Sequence, residues 1–293
     1  NSENMKSFLV VLFSLFTLCS AAQIEFPSLS PKGTVEQKIG LTTISVEYER
    51  PTARGRDIFG KLVPYEILWR TGAGNCTKIE FKNEVLIDGK KIPAGQYSMF
   101  TIPGMQEWTV ILNSDKSLYG TGGYNESKDV IRFKTKAKTT DRYYESLTID
   151  IDITEANAEL NISWEKTRIA FEINTQTDKN LKKLVNEQLL SGKVKDPQLL
   201  AMGAEYYYFQ NKDLETGLKL INKAIDIEKK SWFYGLKTDI LSKSKKFKEA
   251  LETLKTGMDY VKTNPENWTE EQQVSVSKEQ EIKMKELLSE IKK

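Results

Sequence analysis

The spacing of apolar residues constrains the fold of this chain most, because it changes once along the sequence. In the first part apolar residues recur at every second position, as in Leu147, Ile149 and Ile151, which polar residues separate. In the second part they recur every three or four positions. Period two is typical of half-buried antiparallel strands, and a period near 3.6 is typical of amphipathic helices. The sequence therefore predicts an all-β domain at residues 23–177 followed by an all-α domain at residues 178–293.

Turn sequences divide the first part into about ten short strands. Asp88-Gly89 lies between two apolar runs, and this dipeptide favours a two-residue hairpin turn because both positions tolerate a positive φ. Pro93-Ala94-Gly95 and Ile102-Pro103-Gly104 mark further strand ends. Many short strands with regularly spaced turns are typical of a β-sandwich or a flattened barrel, and the sequence leaves that choice open.

The second part contains helical hairpins with a repeat-like spacing. Asp196-Pro197 is a helix start, with Asp at the cap and Pro in the first turn. Gly217-Leu218 and Ala250-Leu251 align with a spacing of 33 residues, close to the 34-residue period of tetratricopeptide repeats, which these helices resemble. Because two repeats bury too little apolar surface to be stable alone, we expect them to be capped by the first helix and a last helix, about 270–292, with the β domain as a further candidate cap.

Residues 1–22 have the pattern of a cleavable secretory signal peptide. Met5, the expected start of translation, is followed by a lysine and a short apolar run, and small residues precede Gln23. We therefore expect cleavage before Gln23 and a periplasmic or secreted protein. Lipoprotein anchoring at Cys19 is disfavoured, because Leu18 stands where such signals carry a small residue. No other apolar run has the roughly 20 residues that a membrane span needs.

Composition argues against several kinds of function. The chain has no histidine, which removes His-dependent triads, most zinc sites and the usual general base near neutral pH. Without the leader Cys76 is the single cysteine, so no intramolecular disulfide can form and a cysteine nucleophile would lack its histidine. The formal net charge of +2 gives no electrostatic basis for binding nucleic acid. We expect no cofactor and no metal ion.

Two further patterns have structural explanations. Asp150 and Asp152 form a carboxylate pair that could suit a hydrolase or Ca²⁺, but the alternation places both on the solvent-facing side of one strand. The glycine-rich segment 120–125 lacks the lysine and the following helix of a phosphate-binding loop. We interpret the first as strand surface and the second as a loop.

A series of short motifs resembles one known family. The motifs follow in order along residues 29–174 and are Leu29-Ser30-Pro31, Tyr48-Glu49-Arg50-Pro51, Gly55-Arg56-Asp57-Ile58-Phe59-Gly60, Val63-Pro64-Tyr65, Trp69-Arg70-Thr71-Gly72-Ala73, Pro93-Ala94-Gly95-Gln96-Tyr97, Phe100-Thr101-Ile102-Pro103 and Glu107-Trp108-Thr109-Val110-Ile111. They resemble the domain of unknown function 2911, found in exported proteins of the Bacteroidota and related bacteria. The sequence departs from that family at Gly74, where Asn is usual. The resemblance implies a compartment and domain boundaries, and it implies no activity.

One long irregular connection is the candidate binding site. It contains, within 21 positions, Arg50, Arg54, Arg56, Trp69 and Arg70. Long loops in compact domains are often functional. Arginine offers a fork for carboxylates, and an indole offers a flat apolar face, so the stretch predicts a shallow site for an anionic glycan or a peptide carboxylate. In the alternative interpretation Arg50 and Arg70 only order the loop, and Trp69 belongs to the core.

These patterns favour a non-catalytic ligand-binding or scaffold protein of the bacterial cell envelope. The β domain would present the ligand surface, and the helical tail would dock a protein partner. One alternative is a carbohydrate- or peptidoglycan-active hydrolase whose carboxylates the sequence does not identify, and another is a purely structural envelope protein. Two carboxyl groups about 5–10 Å apart in a cleft would favour the hydrolase, whereas a shallow surface lined by Arg and Trp would favour binding.

Overall fold

The computed structural model describes residues 26–155, 157–265 and 268–293. These residues form two units, of which the first ends at Gln176 and the second begins at Thr177. The predicted signal peptide and its cysteine lie outside the described residues.

Ten strands build the first unit within the described residues, in agreement with the alternating pattern. The strands are β1 (Lys32–Ile39), β2 (Thr42–Glu49), β3 (Thr77–Phe81), β4 (Val85–Ile87), β5 (Lys90–Ile92), β6 (Gly95–Ile102), β7 (Glu107–Asn113), β8 (Asp129–Lys136), β9 (Lys138–Thr154) and β10 (Asn157–Ile173). A single turn of 3-10 helix, Glu126–Lys128, precedes β8. β9 and β10 have 17 residues each, so these two strands are longer than the short ones predicted.

Six of the strands form one antiparallel sheet in the order β1-β2-β3-β6-β7-β8, while β9 and β10 form a long hairpin and β4 and β5 a short one. In the short hairpin Asp88 and Gly89 have φ values of 48° and 73°, as the predicted two-residue turn requires. The described strands do not close into a barrel. Of the two predicted architectures, the structure therefore agrees with the β-sandwich.

The core of the β unit lies between the six-stranded sheet and the β9–β10 hairpin. Val46 and Val110 of the sheet and Leu160 of the hairpin are fully buried in one apolar cluster. Trp108 and Trp164 belong to the same cluster, and each is 2% exposed. Because burying one large apolar side chain stabilises a fold by about 1.5–3 kcal/mol, this shared cluster holds the two layers together.

Six helices build the second unit within the described residues. They are α1 (Thr177–Leu184), which continues as a π-helical turn (Val185–Leu190), α2 (Pro197–Gln210), α3 (Leu214–Ile227), α4 (Ser231–Lys243), α5 (Phe247–Thr263) and α6 (Glu270–Lys292). The all-β and then all-α order predicted by the change of period is therefore confirmed. None of the described helices has the length and apolar character of a membrane span.

Consecutive helices pack as pairs, α2 with α3 and α4 with α5. α2 begins 34 residues before α4, and α3 begins 33 residues before α5. The predicted helix start is confirmed, since the Asp196 carboxylate caps α2 by accepting hydrogen bonds from the backbone N–H groups of Gln198 and Leu199. The likeness to tetratricopeptide repeats stays a prediction.

Candidate functional site

The connection between β2 and β3 contains all five predicted site residues. Residues 50–76 include no regular strand or helix. The backbone of Trp69 is hydrogen-bonded to β6. The main-chain N–H of Trp69 donates to the Thr101 carbonyl over 2.8 Å, and the main-chain N–H of Thr101 donates to the Trp69 carbonyl over 2.9 Å.

Trp69 belongs to the core. It is 9% exposed, and its ring is stacked with that of Trp164 at a centroid distance of 6.0 Å. Its indole N–H donates to the Gly72 carbonyl over 3.1 Å. The flat face and the polar group of this indole are therefore used within the protein.

Arg50 connects the sheet to the hairpin layer. Its Nε donates to the Leu147 carbonyl over 3.3 Å and its Nη2 to Thr148 Oγ1 over 3.4 Å. Its own N–H donates to the Pro31 carbonyl. These contacts match the loop-ordering alternative for this residue.

Arg54 and Arg56 are exposed, and they also bind backbone carbonyls. Arg54 Nη2 donates to the Leu29 carbonyl over 2.8 Å. Arg56 donates through Nε to Ala53 and through Nη2 to Thr52, at 2.9 and 2.8 Å. Each guanidinium carries five N–H groups, so both keep donors on their solvent-facing side.

Arg70 differs from the other three arginines. It is half-buried, and within the described part of the chain its Nε has no hydrogen-bond partner and no carboxylate pairs with it. The Arg70 guanidinium lies beside the glycine-rich loop 120–125, because a methyl group added to Gly120 would be 3.5 Å from Arg70 Nη1. Burial raises the pKa of the neighbouring Cys76 thiol, and the positive charges of Lys78 and Arg70 partly offset that rise. A buried N–H donor without an acceptor is unfavourable, so an acceptor that reached Arg70 Nε would stabilise it.

A cavity of about 320 Å³ opens beside the connection. Arg56, Trp69 and Arg70 line it, whereas Arg50 and Arg54 do not. The rest of the described lining is mostly apolar and consists of Ser30, Pro51, Leu62, Val63, Pro64, Ile67, Leu68, Gly72, Ala73 and Trp164. The structure thus brings three of the five predicted residues to one site.

The described lining of this cavity combines two arginines with mostly apolar residues. Its described residues include no carboxylate and no cysteine, so the cavity offers none of the paired acids that glycoside hydrolysis uses. Across the described ranges no group of three or more Asp, Glu or Cys side chains could hold a metal ion. What the cavity does provide is positive charge beside an aliphatic wall, in which Leu62 is 47% and Ile67 57% exposed.

A second cavity, of about 390 Å³, lies beside β8 and the end of β10. Its lining includes Lys134, whose ammonium group pairs with Glu107 at 2.8 Å. Glu172, also in the lining, accepts a hydrogen bond from the Asn157 side chain. Because the basic residue of this described lining already has an acidic partner, the cavity offers a weaker basis for binding an anion than the one at Arg70.

Sequence reasoning missed the apolar contributors to the first cavity, among them Leu62, Ile67 and Trp164. Leu62 and Ile67 stand in the irregular stretch as ordinary apolar residues. Trp164 belongs to an alternating strand far along the chain, and alternation does not distinguish a core residue that also reaches a cavity. No sequence signal would have singled them out.

Fold and site define a protein with an open β-sandwich that carries an arginine-edged cavity, followed by packed helical pairs. Residues 30–173 match the family model described as a protein of unknown function (DUF2911), and this part of the chain belongs to that family. The predicted resemblance is therefore confirmed. No curated protein and no solved structure matches the chain.

Proposed function

We propose that this chain is a non-catalytic binding protein whose β unit holds an anionic ligand in the cavity beside Arg70. The observation that carries the proposal is the half-buried guanidinium of Arg70, whose Nε has no partner among the described residues. A carboxylate is the natural partner, because it can accept two parallel hydrogen bonds from one guanidinium. Arg56 lies in the same lining and adds a second positive charge.

The wall of the cavity favours a peptide carboxylate over an acidic glycan. A sugar ring would need an exposed aromatic face, and the Trp69 ring is packed against Trp164 instead. Leu62 and Ile67 offer exposed aliphatic surface, which suits an apolar side chain next to a terminal carboxylate. Glycan binding remains an outcome of the test.

The test compares short apolar peptides with free and with amidated C-termini, alongside acidic oligosaccharides, by calorimetric titration of the full chain. Arg70→Met removes the charge but keeps most of the stem. We expect it to weaken peptide binding about 5- to 150-fold, equivalent to about 1–3 kcal/mol, and to leave the melting temperature unchanged or higher. Amidation of the peptide should weaken binding similarly.

Arg54→Gln is the matched control, because Arg54 lies in the same connection but outside the lining. It should leave binding unchanged. If Arg70→Met lowers the melting temperature and every peptide and glycan fails to bind, the connection is scaffolding and the proposal is wrong.

We also propose that the protein is exported and that its helical unit docks a protein partner. The leader pattern supports export. The test is to recover the protein from the cell envelope and measure its intact mass, which should correspond to a chain that begins at Gln23.

The docking proposal rests on α2, which carries exposed Leu199, Met202 and Phe209. A helical period places these three side chains on one face. Photo-crosslinking from position 209, compared with the exposed position 222 of α3, should capture a partner only from position 209.

A further inference from the structure

A cavity in the helical unit is lined by aromatic rings. Its volume is about 370 Å³, and its described lining contains Trp232 at the start of α4, Tyr260 near the end of α5 and Trp268 just before α6. Ligand cavities commonly have volumes of about 300–1,000 Å³ and walls of aromatic side chains with a few polar groups among them. The size and the walls of this cavity fit that description.

The aromatic walls of this cavity keep accessible surface. Trp232 is 39% exposed. In the described part of the chain its one ring contact is T-shaped, with Phe233 at a centroid distance of 4.5 Å, so no ring is stacked on it. The Trp69 ring of the β unit, by contrast, is stacked within the core. Trp232 therefore offers a ligand the flat apolar surface that Trp69 does not.

The start of α4 gives the cavity hydrogen-bond donors without acceptors. Lys230 is the cap residue of this helix, and its side chain makes no capping hydrogen bond. The main-chain N–H groups of Ser231 and Trp232 have no acceptor within the described ranges. Such N–H groups at the start of a helix, together with the helix dipole, attract an anion.

The Ser231 side chain is a second, independent indication of a ligand. Ser231 is 9% exposed, and among the residues that the structure describes its hydroxyl has no hydrogen-bond partner. Buried hydroxyl groups are normally hydrogen-bonded. Because Ser231 lines the cavity, the surface that it keeps faces this space, and a molecule there would supply the missing acceptor.

The charges around the cavity favour an acidic ligand over a neutral one. Lys230 is paired with Glu228 over 3.0 Å, so these two charges offset each other. Lys229, also in the lining, is exposed and pairs with no carboxylate of the described chain. One positive charge therefore remains, and it adds to the partial positive charge at the start of α4.

We propose that this cavity binds an acidic sugar residue of a glycan, such as a uronic acid. The sugar carboxylate would accept hydrogen bonds from the Ser231 hydroxyl and from the N–H groups at the start of α4, and the apolar face of the sugar ring would lie on Trp232. A bare inorganic anion would leave the aromatic walls unused, and a neutral sugar would leave the donors without an anion. The site shares no lining residue with the cavity beside Arg70.

The experiment titrates the full chain with trigalacturonate, with its methyl ester, with sodium sulfate and with adenosine monophosphate, by calorimetry at constant ionic strength. We expect saturable binding of trigalacturonate. The methyl ester should bind at least about tenfold more weakly, because it lacks the charged acceptors. A methyl ester of equal affinity, or sulfate or the nucleotide binding as tightly as trigalacturonate, would overturn the proposal.

Variants then locate the bound sugar. Trp232→Ala should weaken trigalacturonate binding about 2- to 12-fold, as for the loss of one aromatic contact. Ser231→Ala should weaken it about tenfold and leave the melting temperature of the free protein unchanged. Phe209→Ala is the matched control, because Phe209 is an exposed aromatic residue of the same unit outside the lining. It should leave the affinity unchanged, and equal affinities in all three variants would contradict the proposed site.

Arg70→Met distinguishes this site from the one proposed in the β unit. It should leave trigalacturonate binding unchanged, since Arg70 belongs to the other unit. If Arg70→Met abolishes this binding and Trp232→Ala does not, the acidic glycan binds to the β unit and the present proposal is wrong. Failure of the peptide titrations, in turn, would leave this result unaffected.

Discussion

The two units of this chain satisfy the hydrogen-bonding groups of their backbones in different ways. The distribution of arginine and lysine reflects this difference. All seven arginines precede residue 177, and the helical unit uses only lysine. In the β unit Arg50, Arg54 and Arg56 donate to main-chain carbonyls of irregular or edge segments. A helix satisfies its own carbonyls, so the helical unit has no comparable need for the arginine fork. The comparison teaches that arginine density alone does not mark a ligand site, because three of the four guanidinium groups in the connection bind main-chain carbonyls of the protein itself.

The two units also bury their apolar surface differently. Separating them should therefore have the largest effect on stability among the changes considered. The β unit has one large cluster joining both layers and a small one around Phe100, while the helical unit divides its core between two clusters, each smaller than the large one. We expect residues 23–177 alone to melt cooperatively and residues 178–293 alone to be only marginally stable. Thermal melts by circular dichroism and amide NMR spectra of the two fragments would check this. Sharp, dispersed amide signals and a cooperative melt from the helical fragment would break the comparison.

Removing a large core side chain should have the next largest effect on stability. This effect should be confined to the unit that contains the side chain. Trp164→Ala should lower the free energy of unfolding of the β unit by about 3–5 kcal/mol through cavity formation. Phe233→Ala, at a fully buried position of the helical unit, should do the same there. Calorimetry of the full chain should show each variant shifting one transition. A single transition shifted by both variants would contradict independent units.

The pH dependence of the hairpin should give a smaller effect confined to the β unit. Burial and Asp152 raise the folded-state pKa of Asp150, so its contribution is most favourable below the unfolded value of about 3.9 and is lost as the pH rises through the folded value. Asp150→Asn should therefore raise the melting temperature at pH 7, and the gain should shrink towards pH 4. A constant difference across this range would show that Asp150 does not titrate abnormally.

The smallest effect should come from a helix cap. Asp196→Ala removes the acceptor for two N–H groups at the start of α2 and should cost about 1 kcal/mol. Glu205→Ala, an exposed position within the same helix, is the control and should stay within about 0.5 kcal/mol. Urea titration of the full chain measures both, and equal effects would show that the cap contributes nothing of its own.

The sequence by itself determined the local structure of the chain. Alternation predicts the strands, the change of period predicts helices after residue 177, and Asp88-Gly89 predicts a hairpin whose turn has the required φ values. Each of these features depends on residues close together in the sequence. Alternation did not predict that β4 and β5 leave the main sheet, or that β9 and β10 form the second layer, because many strand pairings bury the same faces.

Only the tertiary structure decided what each predicted site residue does. Arg54 and Arg70 lie in the same irregular connection, yet the fold brings the Leu29 carbonyl to Arg54 and brings no acceptor within the described residues to Arg70 Nε. The position of Asn161 opposite Asp150 likewise depends on the register of β9 and β10. A sequence specifies which groups can donate or accept, but the partners come from distant segments, and their positions are set by packing of the whole unit.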